Sequence, residues 1–239
     1  MTFGGAYSSH IVATAAAGRV FGFKTIGIVR GEEPRTLSHS LRDAMGFGMD
    51  LFFVSRTDYR NKIWPAKLLK KPDEPYVINE GGYGPTGVEG AMEILDFCEQ
   101  EHYSHIACAV GTSTMMAGLI KTSLTGQQVL GFSVLKNNLN LEKDLCNLLS
   151  PGDREKKFQV IHDYHFGGYA KYTRELIGFM NEFYQASLIP LDFVYTAKLF
   201  FGVIAMMENN YFPPGSHVLL IHSGGLQGNL SLPKGALVF

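Results

Sequence analysis

Excess charge of either sign is what this chain most conspicuously lacks. Its 239 residues carry 21 Lys and Arg against 22 Asp and Glu, a formal net charge of -1. A surface so near neutrality has no broad attraction for nucleic acid or for an anionic membrane. The partner expected is a small molecule met in a pocket. Cysteine is also scarce: Cys98, Cys108 and Cys146 are odd in number and widely spaced, with no Cys-x-x-Cys pair. No metal site is expected from that spacing, and a reducing, cytoplasmic setting is the default. Cys108, inside the apolar run His105-Ile106-Ala107-Cys108-Ala109-Val110, reads as a buried structural thiol. The N-terminus has no basic region followed by an apolar one, so no signal peptide is read there. No apolar run approaches the length that spans a membrane.

What is present is an ordinary globular composition, 46% hydrophobic and 18% charged, enough for a sizeable core. Short β-branched runs alternate with helical stretches. Strands are predicted over 25–29, 51–54, 76–78, 106–110, 129–134, 158–161 and 218–221. Helices are predicted over 9–21, 36–45, 59–70, 88–101, 115–121, 172–185 and 196–209. Such alternation indicates right-handed βαβ crossovers and mostly parallel sheets, an α/β fold. Two prolines in Lys71-Pro72-Asp73-Glu74-Pro75 suggest either a domain boundary, giving 1–75 and 76–239, or a surface loop. Met1-Thr2-Phe3 runs straight into Gly4-Gly5, as though the chain opens in the last residues of a strand.

Three strand-turn-helix corners suit an anion. The first, Gly4-Gly5-Ala6-Tyr7-Ser8-Ser9-His10, precedes an alanine-rich helix; glycines allow a tight turn, and Ser8 or Ser9 either caps the helix or helps hold a carboxylate or phosphate. The second, Gly111-Thr112-Ser113-Thr114, packs three hydroxyls into a turn after a buried-looking strand, a plausible phosphate cup. It carries neither the lysine of a Walker loop nor a dinucleotide fingerprint. The third is His222-Ser223-Gly224-Gly225. Each could be only a turn, but ligands collect beyond the carboxyl ends of parallel strands, and three equivalent corners point to one shared site.

At these residues the chain resembles the 1-aminocyclopropane-1-carboxylate deaminase / D-cysteine desulfhydrase family. Gly4-Gly5-Ala6-Tyr7-Ser8-Ser9-His10 is similar to its Gly-Gly-x-x-Ser-Asn-His stretch, and Glu80-Gly81-Gly82 to its Pro-Glu-Gly-Gly loop. The segment 111–118 resembles its Gly-Thr-Gly-x-x-x-Ala-Gly phosphate loop. Asp192-Phe193-Val194-Tyr195-Thr196-Ala197-Lys198 is similar to Asp-Pro-Val-Tyr-Thr-Gly-Lys, and His222-Ser223-Gly224-Gly225 to His-Thr-Gly-Gly. The five matches are collinear across nearly the whole chain.

The resemblance implies the tryptophan synthase β-like fold, fold type II of the pyridoxal-phosphate enzymes: two parallel-sheet α/β domains, the smaller at 1–75 and the larger, cofactor-binding one at 76–239. It implies that Gly111, Thr112, Ser113 and Thr114 hold the phosphate of pyridoxal 5'-phosphate. Ser8 would hold the substrate carboxylate, with Ser9 in place of an Asn that contacts the cofactor's ring oxygen. Tyr195 would face the substrate as nucleophile or acid/base, Thr196 and Ser223 would lie by the pyridine nitrogen, and Phe166 would cover the ring. The family is similar to homodimers acting on small amino acids. Its deaminases place Glu after the active Tyr, so Thr196 indicates a desulfhydrase-like α,β-elimination with D-cysteine as leading substrate. The family's Schiff-base lysine lies upstream of the Gly-Gly-x-x-Ser stretch, whereas the first lysine here is Lys24. That implies either an N-terminally shortened product or a relative that binds ligand without catalysis.

Overall fold

The computed structural model describes residues 1–63, Leu68 and residues 75–239. The chain forms two compact units, Met1–Tyr83 and Gly84–Phe239. In the first, β1 (Thr2–Gly4), β2 (Ile26–Arg30) and β3 (Asp50–Val54) make a parallel sheet in the order β1-β2-β3. Helices α1 (Ser9–Phe21) and α2 (His39–Gly46) cross between them, and the short α3 (Arg56–Arg60) follows β3. Ile11 and Ala15 of α1 pack with Leu41 and Ala44 of α2 against Val29, because apolar residues three or four apart share a helix face. Phe3, Ile26, Ile28 and Val54 form a second cluster.

The first unit extends to Tyr83, beyond the boundary suggested by the proline-rich stretch. The Met1 ammonium donates to Tyr76 O (2.7 Å), and Ile78 N–H donates to Met1 O (2.8 Å). The Thr2 hydroxyl donates to Ile78 O (3.0 Å) and sits 2.6 Å from His10 Nε2. These bonds tie 76–78 to the start of the chain. That segment is not the strand predicted, because it joins no ladder of the sheet. The predicted helix over 59–70 overlaps α3 only at its start; residues 64–67 and 69–74 lie outside the described residues.

The second unit begins with α4 (Pro85–Met92), then β4 (His105–Val110), α5 (Thr114–Thr122), β5 (Gln128–Ser133), α6 (Leu141–Leu148) and β6 (Lys157–Ile161). It ends with α7 (Arg174–Ser187), α8 (Thr196–Glu208) and β7 (Val218–Leu220). Its parallel sheet runs β6-β5-β4-β7. Every residue of β4 is buried, as expected for a parallel strand covered on both faces. Ile106, Cys108 and Val110 pack with Met116, Leu119 and Ile120 of α5. Ala107 and Ala109 pack with Leu199 and Val203 of α8. Burial pushes the Cys108 thiol up to about 12, which leaves it inert at neutral pH.

Two further elements depart from expectation. The predicted helix over 88–101 is α-helical only through Met92 and tightens to 3-10 turns over Glu93–Phe97 and Gln100–His102. The predictions omit α6, whose Leu141 and Leu145 are buried. Among the described residues no helix is long and apolar enough to cross a membrane.

Candidate active site

In the first unit, Ser8 caps α1: its Oγ accepts from Ile11 N–H at 3.3 Å. A Cβ on Gly4 would lie 2.6 Å from Ser8 Oγ, so only glycine lets the turn fold this closely over its own cap. The turn is pinned from outside, since the Ser38 hydroxyl donates to Ala6 O while capping α2. Ser8 is therefore a cap whose hydroxyl proton remains available to an incoming oxygen. Ser9 is the first residue of α1. Lys24 is exposed between α1 and β2, a solvated charge.

In the second unit, β4 runs into Gly111 and Thr112, and α5 starts at Thr114. Ser113 is the N-cap of α5 but makes no capping bond. Its buried hydroxyl instead donates to Leu141 O of α6 (3.1 Å). Ser113 can thus serve an anion through its backbone N–H and not, as the hydroxyl count of the turn suggested, through its side chain. With that side chain withdrawn, the first-turn N–H groups are left to an outside acceptor, and the helix dipole favours an anionic one. Thr112 and Thr114 hold their hydroxyl oxygens 3.3 Å apart at the same turn. At the far end of α5, the Lys156 ammonium donates to Ile120, Lys121 and Ser123 carbonyls at 2.7–2.9 Å.

Tyr195, the residue before α8, comes to this turn. A Cβ on Gly111 would lie 3.2 Å from Tyr195 Cε1 and 3.6 Å from its hydroxyl, so the glycine admits the phenol ring. The ring also meets Tyr169 edge-on, with centroids 6.1 Å apart. Its backbone is set by Asp192, a fully buried carboxylate that accepts from the Val194, Tyr195 and Thr196 N–H groups at 2.8–2.9 Å. The Thr196 hydroxyl donates to Asp192 Oδ2 (2.7 Å) and accepts from Asp192 N–H (2.8 Å). Thr196 is itself fully buried. The hydroxyl expected beside a ring nitrogen is thus occupied in building the corner.

Around Asp192 three further segments meet. Gly225, at φ 88°, would place a Cβ 3.3 Å from the Asp192 carboxyl carbon. Two residues earlier Ser223 is exposed. His222 Nδ1 accepts from Gly224 N–H (3.2 Å), so Nε2 carries the proton and donates to Pro190 O (2.9 Å). Lys198 has no solvent exposure, and its ammonium donates to Gly168 O at 2.7 Å. Burial lowers its pKa to about 8, with the Asp192 charge acting in the opposite sense. The turn that Lys198 grips contains Phe166 at φ 50° and Gly167 and Gly168 at φ 95° and 112°. Phe166 is half-buried, edge-on to Phe201 with centroids 4.9 Å apart. Asp192 was missed as a candidate in its own right, although an Asp three residues before Tyr195 at the start of a predicted helix is the signal that finds it.

The second unit therefore brings Gly111, Thr112, Ser113, Thr114 and Tyr195 together, with Thr196, Ser223 and Phe166 on segments joined through Asp192 and Lys198. An uncapped helix start with two adjacent hydroxyls fits the phosphate of pyridoxal phosphate. Among the described residues no group of three or more His, Cys, Asp and Glu could hold a metal ion.

No family model matches the chain. A candidate 1-aminocyclopropane-1-carboxylate deaminase of Thermotoga maritima is 31% identical over 246 residues, 95% of this chain and 77% of that protein. The mitochondrial bifunctional D-cysteine desulfhydrase/1-aminocyclopropane-1-carboxylate deaminase of Arabidopsis thaliana is 26% identical, over 95% of this chain and 64% of its own length. Among solved structures, an ACC deaminase homologue superposes with a TM-score of 0.74 at 25% identity, covering 95% of this chain and 74% of that one. The O-acetylserine-dependent cystathionine β-synthase of Helicobacter pylori shares the fold, with a TM-score of 0.63 at 17% identity over 97% of this chain and 77% of its own. The collinear motifs, the paired parallel sheets and these relatives have one conclusion: the chain belongs to the 1-aminocyclopropane-1-carboxylate deaminase / D-cysteine desulfhydrase family of fold type II pyridoxal-phosphate enzymes.

Proposed function

We propose that the protein catalyses α,β-elimination from a small D-amino acid, with D-cysteine and water giving pyruvate, sulfide and ammonia. The observation that carries this reading is the Tyr195 phenol packed on Gly111, at the mouth of an uncapped helix start. Bound pyridoxal phosphate supplies an electron sink for the charge that develops at the substrate Cα. The N–H groups at the start of α5, with the Thr112 and Thr114 hydroxyls, hold its phosphate. Ser8 donates its hydroxyl proton to the substrate carboxylate while its oxygen continues to cap α1. Tyr195 holds a proton at its phenol oxygen and delivers it to the departing thiolate. Of the two hydroxyls assigned to the ring nitrogen, the exposed Ser223 is the one open to it, while Thr196 acts through Asp192. Phe166 excludes water from the ring face.

The choice of D-cysteine rests on Thr196 standing where the ring-opening deaminases resemble one another in carrying Glu. Purified protein supplied with the cofactor is assayed for pyruvate from D-cysteine and from 1-aminocyclopropane-1-carboxylate. The expected result is pyruvate with stoichiometric sulfide from D-cysteine, falling about 10²–10⁴-fold in Tyr195→Phe. Turnover of the cyclopropane substrate alone would replace the desulfhydrase reading with the deaminase one. Cofactor binding that borohydride never fixes to a lysine, without product from either substrate, would leave a ligand-binding relative.

A further inference from the structure

The first unit contains a cavity of about 830 Å³ that none of the roles above uses. It opens at the carboxyl edge of the β1-β2-β3 sheet, where Arg30 ends β2 and α3 begins two residues after β3. Among the described residues four cations line it, Arg30, Arg56, Arg60 and Lys62, against the carboxylate of Glu80. Arg56 and Arg60 are four apart on α3 and so share one face of it. Among the described residues, no ion pair engages any of the four cations. In a chain of net charge -1 this concentration of positive charge is local and not a property of the whole surface.

The cavity has a fixed wall as well as a charge. The Arg30 guanidinium lies over the Tyr59 ring, 5.5 Å from its centroid, and Phe3 meets the same ring edge-on at 6.1 Å. The Tyr59 hydroxyl is buried and, among the described residues, has no hydrogen-bond partner of ordinary geometry. Burial and then the nearby Glu80 charge raise the phenol's pKa, so it stays a neutral donor. Arg30 is thus held in place before any ligand arrives, and its fork presents paired donors that suit an oxyanion. The volume is that of a small-molecule site.

We infer that this cavity binds a small multivalent oxyanion, a phosphorylated or polycarboxylate compound, at residues that lie wholly within the first unit. The phosphate turn at the start of α5 belongs to the second unit and to different residues.

The full chain is titrated calorimetrically with pyrophosphate and, separately, with citrate at low ionic strength. Saturable binding of one or both is expected, and which anion binds tells phosphate chemistry from carboxylate chemistry. Arg30→Gln and Arg60→Gln each weaken it about tenfold, the loss of one charge-assisted contact. Thr112→Val, which weakens only the separate site at the α5 turn, leaves binding at this cavity in place, and added salt weakens it steeply. Glu80→Gln tightens binding by removing a repulsive charge, a gain that misfolding cannot imitate. Binding lost in Thr112→Val but kept in the arginine variants would place the anion at the α5 turn and overturn the inference. Absence of saturable binding to either anion would overturn it as well.

Discussion

At the scale of single residues, Lys198 concentrates the most consequence. Its ammonium satisfies Gly168 O and lies near Asp192, so Lys198→Met orphans a buried carbonyl and removes the cation from a buried carboxylate. A loss of about 1–3 kcal/mol at pH 7 is expected in denaturant melts. The dependence on pH has a definite sign. Lys198 protonates near pH 8 in the folded chain against an ordinary 10.5, so between those values the unfolded chain binds more protons and stability rises with pH. The stability gap between wild type and Lys198→Met should therefore widen from pH 8 to about 10.5; a constant gap would mean that the amine is not buried as a charge. Ser8 separates structure from binding. Ser8→Ala should cost about 1 kcal/mol as a lost cap, whereas Ser8→Asp keeps the cap but sets a carboxylate against the substrate's. A Ser8→Asp protein that melts like wild type and still binds D-amino acids would sink the assignment of Ser8. Arg30 had no sequence signal: as the last residue of a β-strand it looks like any exposed end, and only folding brings α3 round to it.

At the scale of elements, α5 is located by contact as much as by helix propensity. A Cβ on Gly118 would come within 2.6 Å of Ala91 Cβ and 2.7 Å of its backbone carbon, so α4 and α5 cross where neither backbone can retreat. Gly118→Ala should cost about 1–3 kcal/mol by overpacking, about 2–4 °C in Tm per kcal/mol, and should shift the start of α5 enough to weaken phosphate binding. A thermal scan together with a phosphate titration reads both. Most elements were legible because their signals were local. The serine before α1 and Gly22 after it mark both ends of that helix, and the apolar run of β5 begins straight after Gln127 and Gln128. The misses have physical causes. Helix α6 is short and sits among asparagines and charges, although Leu141, Leu145 and Leu148 at i, i+4 and i+7 already mark an apolar face. The segment 76–78 has strand composition but, among the described residues, bonds with the start of the chain and joins no ladder. The glycine turns of the site were readable from spacing. The withdrawal of the Ser113 hydroxyl was not, since it depends on a carbonyl 28 residues away.

At the scale of the whole molecule, the two units differ in depth of core. The second has a strand, β4, buried along its entire length and paired on both sides, between clusters that cover each face. The first has a three-residue strand, β1, paired among the described residues with β2. Amide exchange should be slowest in β4 and β5. Cofactor alone should slow exchange at 111–117, and 4–8 should gain protection only when an amino acid is added. Protection of both segments by the cofactor alone would count against assigning them to separate ligand groups.

The three carbonyls gripped by Lys156 have a consequence some distance away. A helix ordinarily presents opposite partial charges at its two ends, and each weakens the other's reach. Here the negative end of α5 is neutralised by a cation, so the positive end acts on its surroundings nearly undiminished. Nine residues of helix put the two ends about 14 Å apart. Affinity for an anion at Gly111 is therefore set in part by a lysine that the anion never touches, and acetylating that lysine would loosen the grip from behind.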